Sequence, residues 1–297
     1  MSLHIENIPP SSQRSFRVLC WRDNLKDVEQ CDGNGVSYPV PGAGERWHLH
    51  PEIELTFIER GRGVRVVGDH VAPFSGPELV LIGSRVPHCW HGLRRSTGYA
   101  VQFHWPLDHP LRALPEMASL GKFWQRAARG ILFPSTIIEQ VREPIATLAT
   151  AAPLLRLGLF LQVLGTLAAA PTTKALPLSR TQFGGSGALR YETGMDRVIR
   201  HVLDRYAEPH ALGSMLRLAG MSKATFARQF PRFTGCTFTE FLCRVRLERA
   251  RQRLLASDEP VSTVAFSVGF NHLSHFNRSY RRLYAASPRD DRRTRRA

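Results

Sequence analysis

Four residues in the first third of the chain carry the side chains most ready to do chemistry: His48, His50, Glu54 and His88. His48 and His50 stand two positions apart, so on a strand they share one face, and a nearby carboxylate completes a donor set that suits a divalent metal. The same imidazoles and carboxylate also serve as hydrogen-bonding groups for a small polar ligand, and a third reading leaves them as structural histidines of a core. Arg46 and Trp90 flank them. Polar hydrogen-bonders beside an indole suit a polyhydroxylated molecule.

A second set lies near the C-terminus and occurs twice, fifty positions apart. Phe226 aligns with Phe276, Arg228 with Arg278 and Phe230 with Tyr280. Each copy reads as a short apolar helix, a turn centred on Gly220 or Gly269, then a second helix with its aromatics turned inward. That is the layout of a helix-turn-helix, whose second helix enters the DNA major groove. Ser222 is placed to cap the second helix of the first copy. With Phe226 and Phe230 inward, Lys223, Ala224, Ala227 and Arg228 are left for DNA; in the second copy Leu273, Ser274, Asn277 and Arg278 are left. Asn pairs bidentately with adenine and Arg with guanine, so the second copy offers the richer base-reading chemistry.

Charge supports the same reading. The 297 residues carry a net charge of +15, unevenly spread. Residues 194–297 hold 20 Lys/Arg against 9 Asp/Glu, whereas residues 1–193 hold 20 against 16. The excess is mostly Arg, whose planar guanidinium suits phosphate and guanine. A hydrophobic content of 43% is ample for two ordinary cores. Five cysteines are odd in number and show no zinc-type spacing, which points to a reducing cytosol. The first ten residues lack the apolar core of a signal peptide, and the most apolar stretch, 154–170, is interrupted by Arg156 and Gln162 and falls short of a span of about 20 residues.

The elements that must position these groups follow from periodicity. Residues 45–105 read as short strands, with examples at 53–59, 63–67, 78–82 and 99–103 separated by Gly and Pro, which indicates a sandwich or barrel. From 111 to 170 the pattern turns helical. Residues 171–193, with Pro171, Pro177 and the run Gly184-Gly185-Ser186-Gly187, read as a flexible linker. Beyond it come helices at 195–207 and, between the two repeat copies, at 237–256. The expected fold is therefore multi-domain: an N-terminal β-barrel in residues 1–110, a helical annex for dimerisation in 111–170, the linker, and an all-α domain with two helix-turn-helix motifs in 194–297.

Two resemblances sharpen this. The C-terminal hundred residues resemble the DNA-binding domain of the AraC/XylS family of transcription regulators, through Gly220-Met221-Ser222, Phe226, Arg228, Phe230, Phe241-Leu242, Arg246-Leu247, Val268-Gly269-Phe270, Phe276, Arg278 and Ser287-Pro288. The resemblance implies two helix-turn-helix units joined by a rigid helix and docking in successive major grooves, about 34 Å apart. Pro231 departs from the family's usual Lys, and its ring is expected to end or bend the first reading helix. Asp291 replaces a common closing aromatic, and Leu216 a small Ala.

Upstream, the spacing Gly42, His48, His50, Glu54, Gly61 resembles the first motif of the cupin barrel, and residues 78–88 resemble the second. Gly83, Arg85 and Gly92 depart from the metal-binding version, and the wider run from Trp47 to Leu55 is similar to the sensory domain of AraC-type regulators, where the barrel usually holds a small effector, often a sugar. On this basis Arg46, His48, His50, Glu54, His88 and Trp90 are assigned to the effector, with no catalytic residue, no metal ligand and no cofactor. The resemblance implies promoter DNA, a small-molecule effector and RNA polymerase as partners, homodimerisation, and no membrane. The function expected is a cytoplasmic, sequence-specific transcription regulator controlled by a sugar or related polar metabolite. The alternative is a metal-dependent cupin enzyme with an accessory basic DNA-binding domain.

Overall fold

A computed structural model describes residues 15–106, 108–183 and 192–294. The chain divides into two compact units, Met1–His70 with Phe74–Gly187, and Val71–Pro73 with Ala188–Ala297.

The first unit is built on an antiparallel sheet. Its strands are β1 (Arg17–Asp23), β2 (Asp27–Gly33), β3 (Val36–Pro41), β4 (Ile53–Val67), β5 (His70–Ser75), β6 (Glu78–Ile82), β7 (His88–Phe103), β8 (Ile131–Phe133) and β9 (Leu176–Pro177). They run in the order β3-β2-β1-β7-β4-β6-β8-β9, with β5 off that path. Period-two alternation sorts the side chains onto two faces. Val18, Leu55, Phe57, Leu79, Leu81, Val101 and Phe103 point to one core. Leu19, Trp21, Ile58, Val80, Ile82, Trp90 and Ala100 point to the other. Because both faces are covered, every residue of β6 is buried.

Helices α1 (Gly121–Ala127), α2 (Ser135–Thr147) and α3 (Pro153–Ala169) cover the first face. Phe123, Ile138, Val141, Ile145, Phe160, Val163, Leu164 and Leu167 fill the space between. Leu154 and Leu155 on α3 point the other way and stay 83% and 58% exposed.

The second unit is helical: α4 (Glu192–Arg205), α5 (Leu212–Ala219), α6 (Lys223–Thr234), α7 (Phe238–Ala256), α8 (Val261–Ser267), α9 (Leu273–Tyr284) and α10 (Pro288–Thr294). Phe226, Phe230 and Phe241 are buried, with Phe230 ring centroids 5.2 Å from Phe226 and 5.8 Å from Phe241. In the second half Leu247, Leu254, Val264, Val268, Phe270, Phe276 and Tyr280 form one cluster. Thr237 and Glu240 cap α7 reciprocally, satisfying two otherwise orphaned backbone N–H groups. The α5–α6 turn passes through Gly220 at φ +67°, and the α8–α9 turn through Gly269 at φ +95°, both left-handed conformations that favour glycine.

Several expectations are corrected. Among the described residues strands begin at Arg17, ahead of the 45–105 stretch that read as strands, and β4 and β7 run unbroken for 15 and 16 residues because register shifts between Ile58 and Val64 absorb Gly61, which read as a turn. The helical annex contains β8. In the segment expected as a linker, Ala175, Leu178 and Ser179 are buried, and Ser179 Oγ donates to Asp69 at 2.5 Å; the Gly184–Gly187 run lies outside the described residues. Pro231 does not end α6, which continues to Thr234 and stops at left-handed Gly235, whose N–H donates to the Pro231 carbonyl.

Candidate functional site

The four side chains first singled out lie together. One ligand-capable atom from each of His48, His50, Glu54 and His88 falls within 4.8 Å of all the others, and all four residues are buried. His48 reaches the cluster because it forms an isolated antiparallel bridge with His88, the first residue of β7. His50 Nε2 stands 3.2 Å from one Glu54 oxygen and His88 Nε2 3.9 Å from the other.

Each ring is held from behind by a backbone carbonyl. Nδ1 of His48 donates to Arg46 O (2.7 Å), Nδ1 of His50 to Glu52 O (3.1 Å) and Nδ1 of His88 to Val86 O (2.8 Å). A carbonyl only accepts, so each Nδ1 carries the proton, and Nε2 of His50 and of His88 face Glu54. His88 Nε2 is buried with no hydrogen-bond partner. His50 faces two acceptors, the Glu52 carbonyl and the Glu54 carboxylate, and donates to both only as imidazolium.

Glu54 is anchored by residues that sequence reading missed. Thr56 Oγ1 donates to Oε1 at 2.5 Å and Gln102 Nε2 to Oε2 at 2.6 Å, while Arg17 Nε donates to Gln102 Oε1 at 2.5 Å. Arg17, Gln102 and Glu54 are lateral partners across β1, β7 and β4. Only the spacing of Thr56 from Glu54 was visible beforehand; the other two depend on strand register. Burial alone would push the Glu54 carboxyl up, but the His50 hydrogen bond and the neighbouring imidazoles outweigh it and hold it well below the usual carboxylate range. Burial, reinforced by His48, holds His88 well below the ordinary imidazole value.

The two remaining effector assignments fare differently. Arg46 is exposed and meets the cluster only through its carbonyl. Trp90 is buried edge-on to His88, ring centroids 5.6 Å apart, but its indole N–H is directed at Glu78. Beside the cluster is a cavity of about 40 Å³, lined by His48, Glu54, Thr56 and Gln102 on one side and by Leu19, Trp21, Ile58 and Trp90 among its apolar walls. The segment bounding it is tightly seated: a Cβ on Gly42 would lie 1.9 Å from the Leu25 carbonyl oxygen. A second cavity, about 350 Å³, is lined by Ile53, Phe103, His104, Trp105, Arg112 and Trp124 among others. No residue of it was assigned a role from sequence.

In the helical unit, Lys223, Ala224, Ala227 and Arg228 are exposed along α6. On α9, Ser274 and Arg278 are exposed and Leu273 and Asn277 half-buried, while Phe276 and Tyr280 are enclosed. Ser222 Oγ accepts the Thr225 N–H at 3.2 Å, the cap expected for α6. Among the described residues no ion pair holds Arg228 or Arg278. Asp291, where an aromatic was expected, accepts from Arg251 Nε and Tyr280 OH, both at 2.7 Å, and so ties α10 to α7 and α9. No helix among the described residues is long and apolar enough to cross a membrane.

Residues 215–294 match a family model described as a helix-turn-helix domain. The chain is 26% identical over 256 residues to the HTH-type transcriptional activator RhaS of Citrobacter koseri, covering 82% of this chain and 86% of that protein. It is 24% identical over 251 residues to the RhaS activator of Pectobacterium carotovorum, covering 82% and 85%. Among solved structures, a probable AraC family transcriptional regulator from Rhodopseudomonas palustris is 27% identical, covers 35% of this chain and 98% of that one, and gives a TM-score of 0.33.

Proposed function

We propose, from the premise that this chain is an AraC/XylS-family DNA-binding transcription regulator, that its sheet unit is a cupin-like sensory barrel and its helical unit a double reader of promoter DNA. The helix pairs α5–α6 and α8–α9 are two helix-turn-helix motifs, with α6 and α9 entering successive major grooves. The carrying observation is that both pairs present the same register: aromatics enclosed at Phe226 and Phe230 or Phe276 and Tyr280, and arginines exposed at Arg228 and Arg278. At 19 residues, α7 is a spacer of about 28 Å, close to one turn of duplex.

The base-reading set is Lys223, Ala224, Ala227, Arg228, Leu273, Ser274, Asn277 and Arg278. A basic surface supplies the phosphate attraction and the Asn and Arg side chains the base discrimination. Footprinting of the full chain on fragments recovered by genome-wide mapping tests this directly. Protection of two adjacent half-sites supports the reading; binding without sequence preference over competitor DNA refutes it.

The sensory unit takes a small polar effector, a sugar or related metabolite. Effector sites usually offer roughly 300–1,000 Å³. The cavity beside the histidines, about 40 Å³, is too small for a sugar ring as it stands, whereas the cavity of about 350 Å³ beside Trp105, Trp124 and Arg112 has the size. Indole faces with a guanidinium and His104 suit a polyhydroxylated ligand. Effector occupancy shifts the population of chains whose reading heads engage both half-sites. Dimerisation runs through the exposed Leu154 and Leu155 of α3. RNA polymerase is the partner on the promoter, and the working compartment is the cytoplasm. The rival reading, a metal-dependent enzyme, draws on the same His and Glu side chains; turnover abolished by substitution of His88, without effect on DNA binding, would favour it.

A further inference from the structure

β1 and β2 carry a pair of thiols that neither the DNA-reading helices nor the histidine cluster uses. Cys20 on β1 and Cys31 on β2 are both free, and their Sγ atoms stand 2.7 Å apart. Strand register sets this up. Cys20 lies opposite Glu29 and Cys31 opposite Val18, so the two cysteines are diagonal neighbours, and both side chains pack on the face covered by α1 to α3. They are not equivalent, because Cys31 is 3% exposed within that core whereas Cys20 is half-buried at its margin. The hydrogen bond from Cys31 lowers the Cys20 thiol below the ordinary cysteine value, against the opposing pull of burial and Glu29. That same bond, with burial, pushes Cys31 up. Cys243 on α7 is likewise pushed up by burial. A half-exposed thiol of lowered pKa beside a buried second thiol is the arrangement of a nucleophilic and a resolving cysteine.

We propose that Cys20 and Cys31 are an oxidation-sensitive dithiol, closed to an intrachain disulfide by a hydroperoxide and reopened by a reducing dithiol. The Cys20 thiolate attacks one peroxide oxygen: the S–O bond forms, the O–O bond breaks, and the departing hydroxide takes a proton from solvent, leaving Cys20 as a sulfenic acid. The Cys31 sulfur then attacks the Cys20 sulfur. The S–S bond forms, the S–O bond breaks, and hydroxide leaves as water with the Cys31 proton. The two thiols lose two electrons and two protons, and hydrogen peroxide takes up both to become two waters. To bond, the Sγ atoms close from 2.7 Å to about 2.05 Å, a movement of about 0.7 Å. In a reducing compartment such bonds are transient and redox-sensing.

The pair sits where the sheet meets α3. Arg156 Nη2 donates to the Cys31 carbonyl at 2.5 Å, and its guanidinium lies 5.2 Å from the centre of the Phe16 ring. In the turn after β2, the Asn34 N–H donates to the Thr150 carbonyl at 2.9 Å, just ahead of α3. Drawing Cys31 toward Cys20 therefore pulls on the first turn of α3, which carries the exposed Leu154 and Leu155. The oxidation needs neither DNA nor effector, and it stands apart from the regulator reading.

The test treats reduced full-length protein with hydrogen peroxide, alkylates the remaining thiols and maps the digest by mass spectrometry. The expected result is loss of two of the five free thiols, a peptide pair joined through Cys20 and Cys31, and return of both thiols on adding dithiothreitol. Two variants, checked for native circular dichroism, separate the roles. Cys31→Ala, which leaves a small apolar side chain in the core, should accumulate a Cys20 sulfenic acid that dimedone traps. Cys20→Ser should slow the oxidation of Cys31 by about 10-fold or more, because the nucleophile is gone. Hydrogen exchange over residues 153–157 should differ between oxidised and reduced wild type, and should not differ in Cys20→Ser treated alike. A wild type that keeps all five thiols, a bridge to another cysteine or to a second chain, or equally fast thiol loss in Cys20→Ser overturns the dithiol. Unchanged exchange in a chain shown to be bridged overturns its coupling to α3.

Discussion

His48 and His88 exchange both of their backbone hydrogen bonds, at 3.1 and 2.9 Å, and their rings lie 4.3 Å apart. This one pairing closes the segment before β4 onto the start of β7 and brings the imidazole rings of distant histidines together.

Because His88 buries an unsatisfied lone pair, the folded protein carries a cost at that position of about 1–3 kcal/mol. His88→Leu should therefore leave the melting temperature unchanged or raised. A loss of more than about 2 kcal/mol in urea unfolding would mark the ring as ordinary core packing.

Asp291 gives a pH dependence. Its hydrogen bond with Arg251, then that with Tyr280, lowers its pKa from the ordinary aspartate value. A folded pKa below the unfolded one means the contribution is fully present above the unfolded value near 3.9 and is lost as pH falls through the folded value. Asp291→Asn should cost about 1–3 kcal/mol at neutral pH, and the difference from wild type should shrink below about pH 4. Unfolding curves across that range check it; a difference that does not change with pH would contradict the assignment.

Arg278 is exposed on α9 beside Asn277. Arg278→Ala should weaken operator binding by about 1–3 kcal/mol and relax preference at one base position. Arg228→Ala should act on the adjacent half-site. Gel-shift competition with single-base operator variants measures both, and an unchanged preference would remove α9 from the groove.

Gly269 sits at φ +95°, and a Cβ there would meet the Ala207 carbonyl oxygen at 2.7 Å and the Arg246 guanidinium at 2.9 Å. That guanidinium is committed, since Arg246 Nε donates to Tyr206 O at 2.7 Å. Gly269→Ala should destabilise by about 1–3 kcal/mol. Gly220 has a similar φ but nothing within 4 Å of its Cβ position, so Gly220→Ala should cost less. Thermal melts of the pair rank the two effects.

Leu154→Glu with Leu155→Glu should shift the chain to monomer in equilibrium sedimentation while leaving its melting temperature nearly unchanged, because both side chains point away from the core of their own unit. A dimer that persists would place the interface elsewhere.

The helical half was legible in the sequence because its signals are local. Phe226 and Phe230, four apart, declare one face of a helix, Ser222 its start and Gly220 its turn, and the structure spends them as the pattern says. Pro231 does not end α6 because a lost hydrogen bond late in a helix is small beside the burial of Phe230 and Phe233 that continuing the helix secures. The histidines and Glu54 were legible as chemistry through their spacing. Arg46 was not correctly placed, because neighbours on an irregular segment do not share a face by rule.

Sequence alone determined which faces of α6 and α9 are exposed and which residues form a buried polar centre, since both follow from periods of two and of 3.6 along a single stretch of chain. Tertiary structure decided what no local period encodes: that Arg17, Gln102 and Glu54 form one row across three strands, that His48 meets His88, and that the space left beside them is about 40 Å³. Strand register and cavity volume are set by how distant segments close-pack, and that information is spread over the whole core.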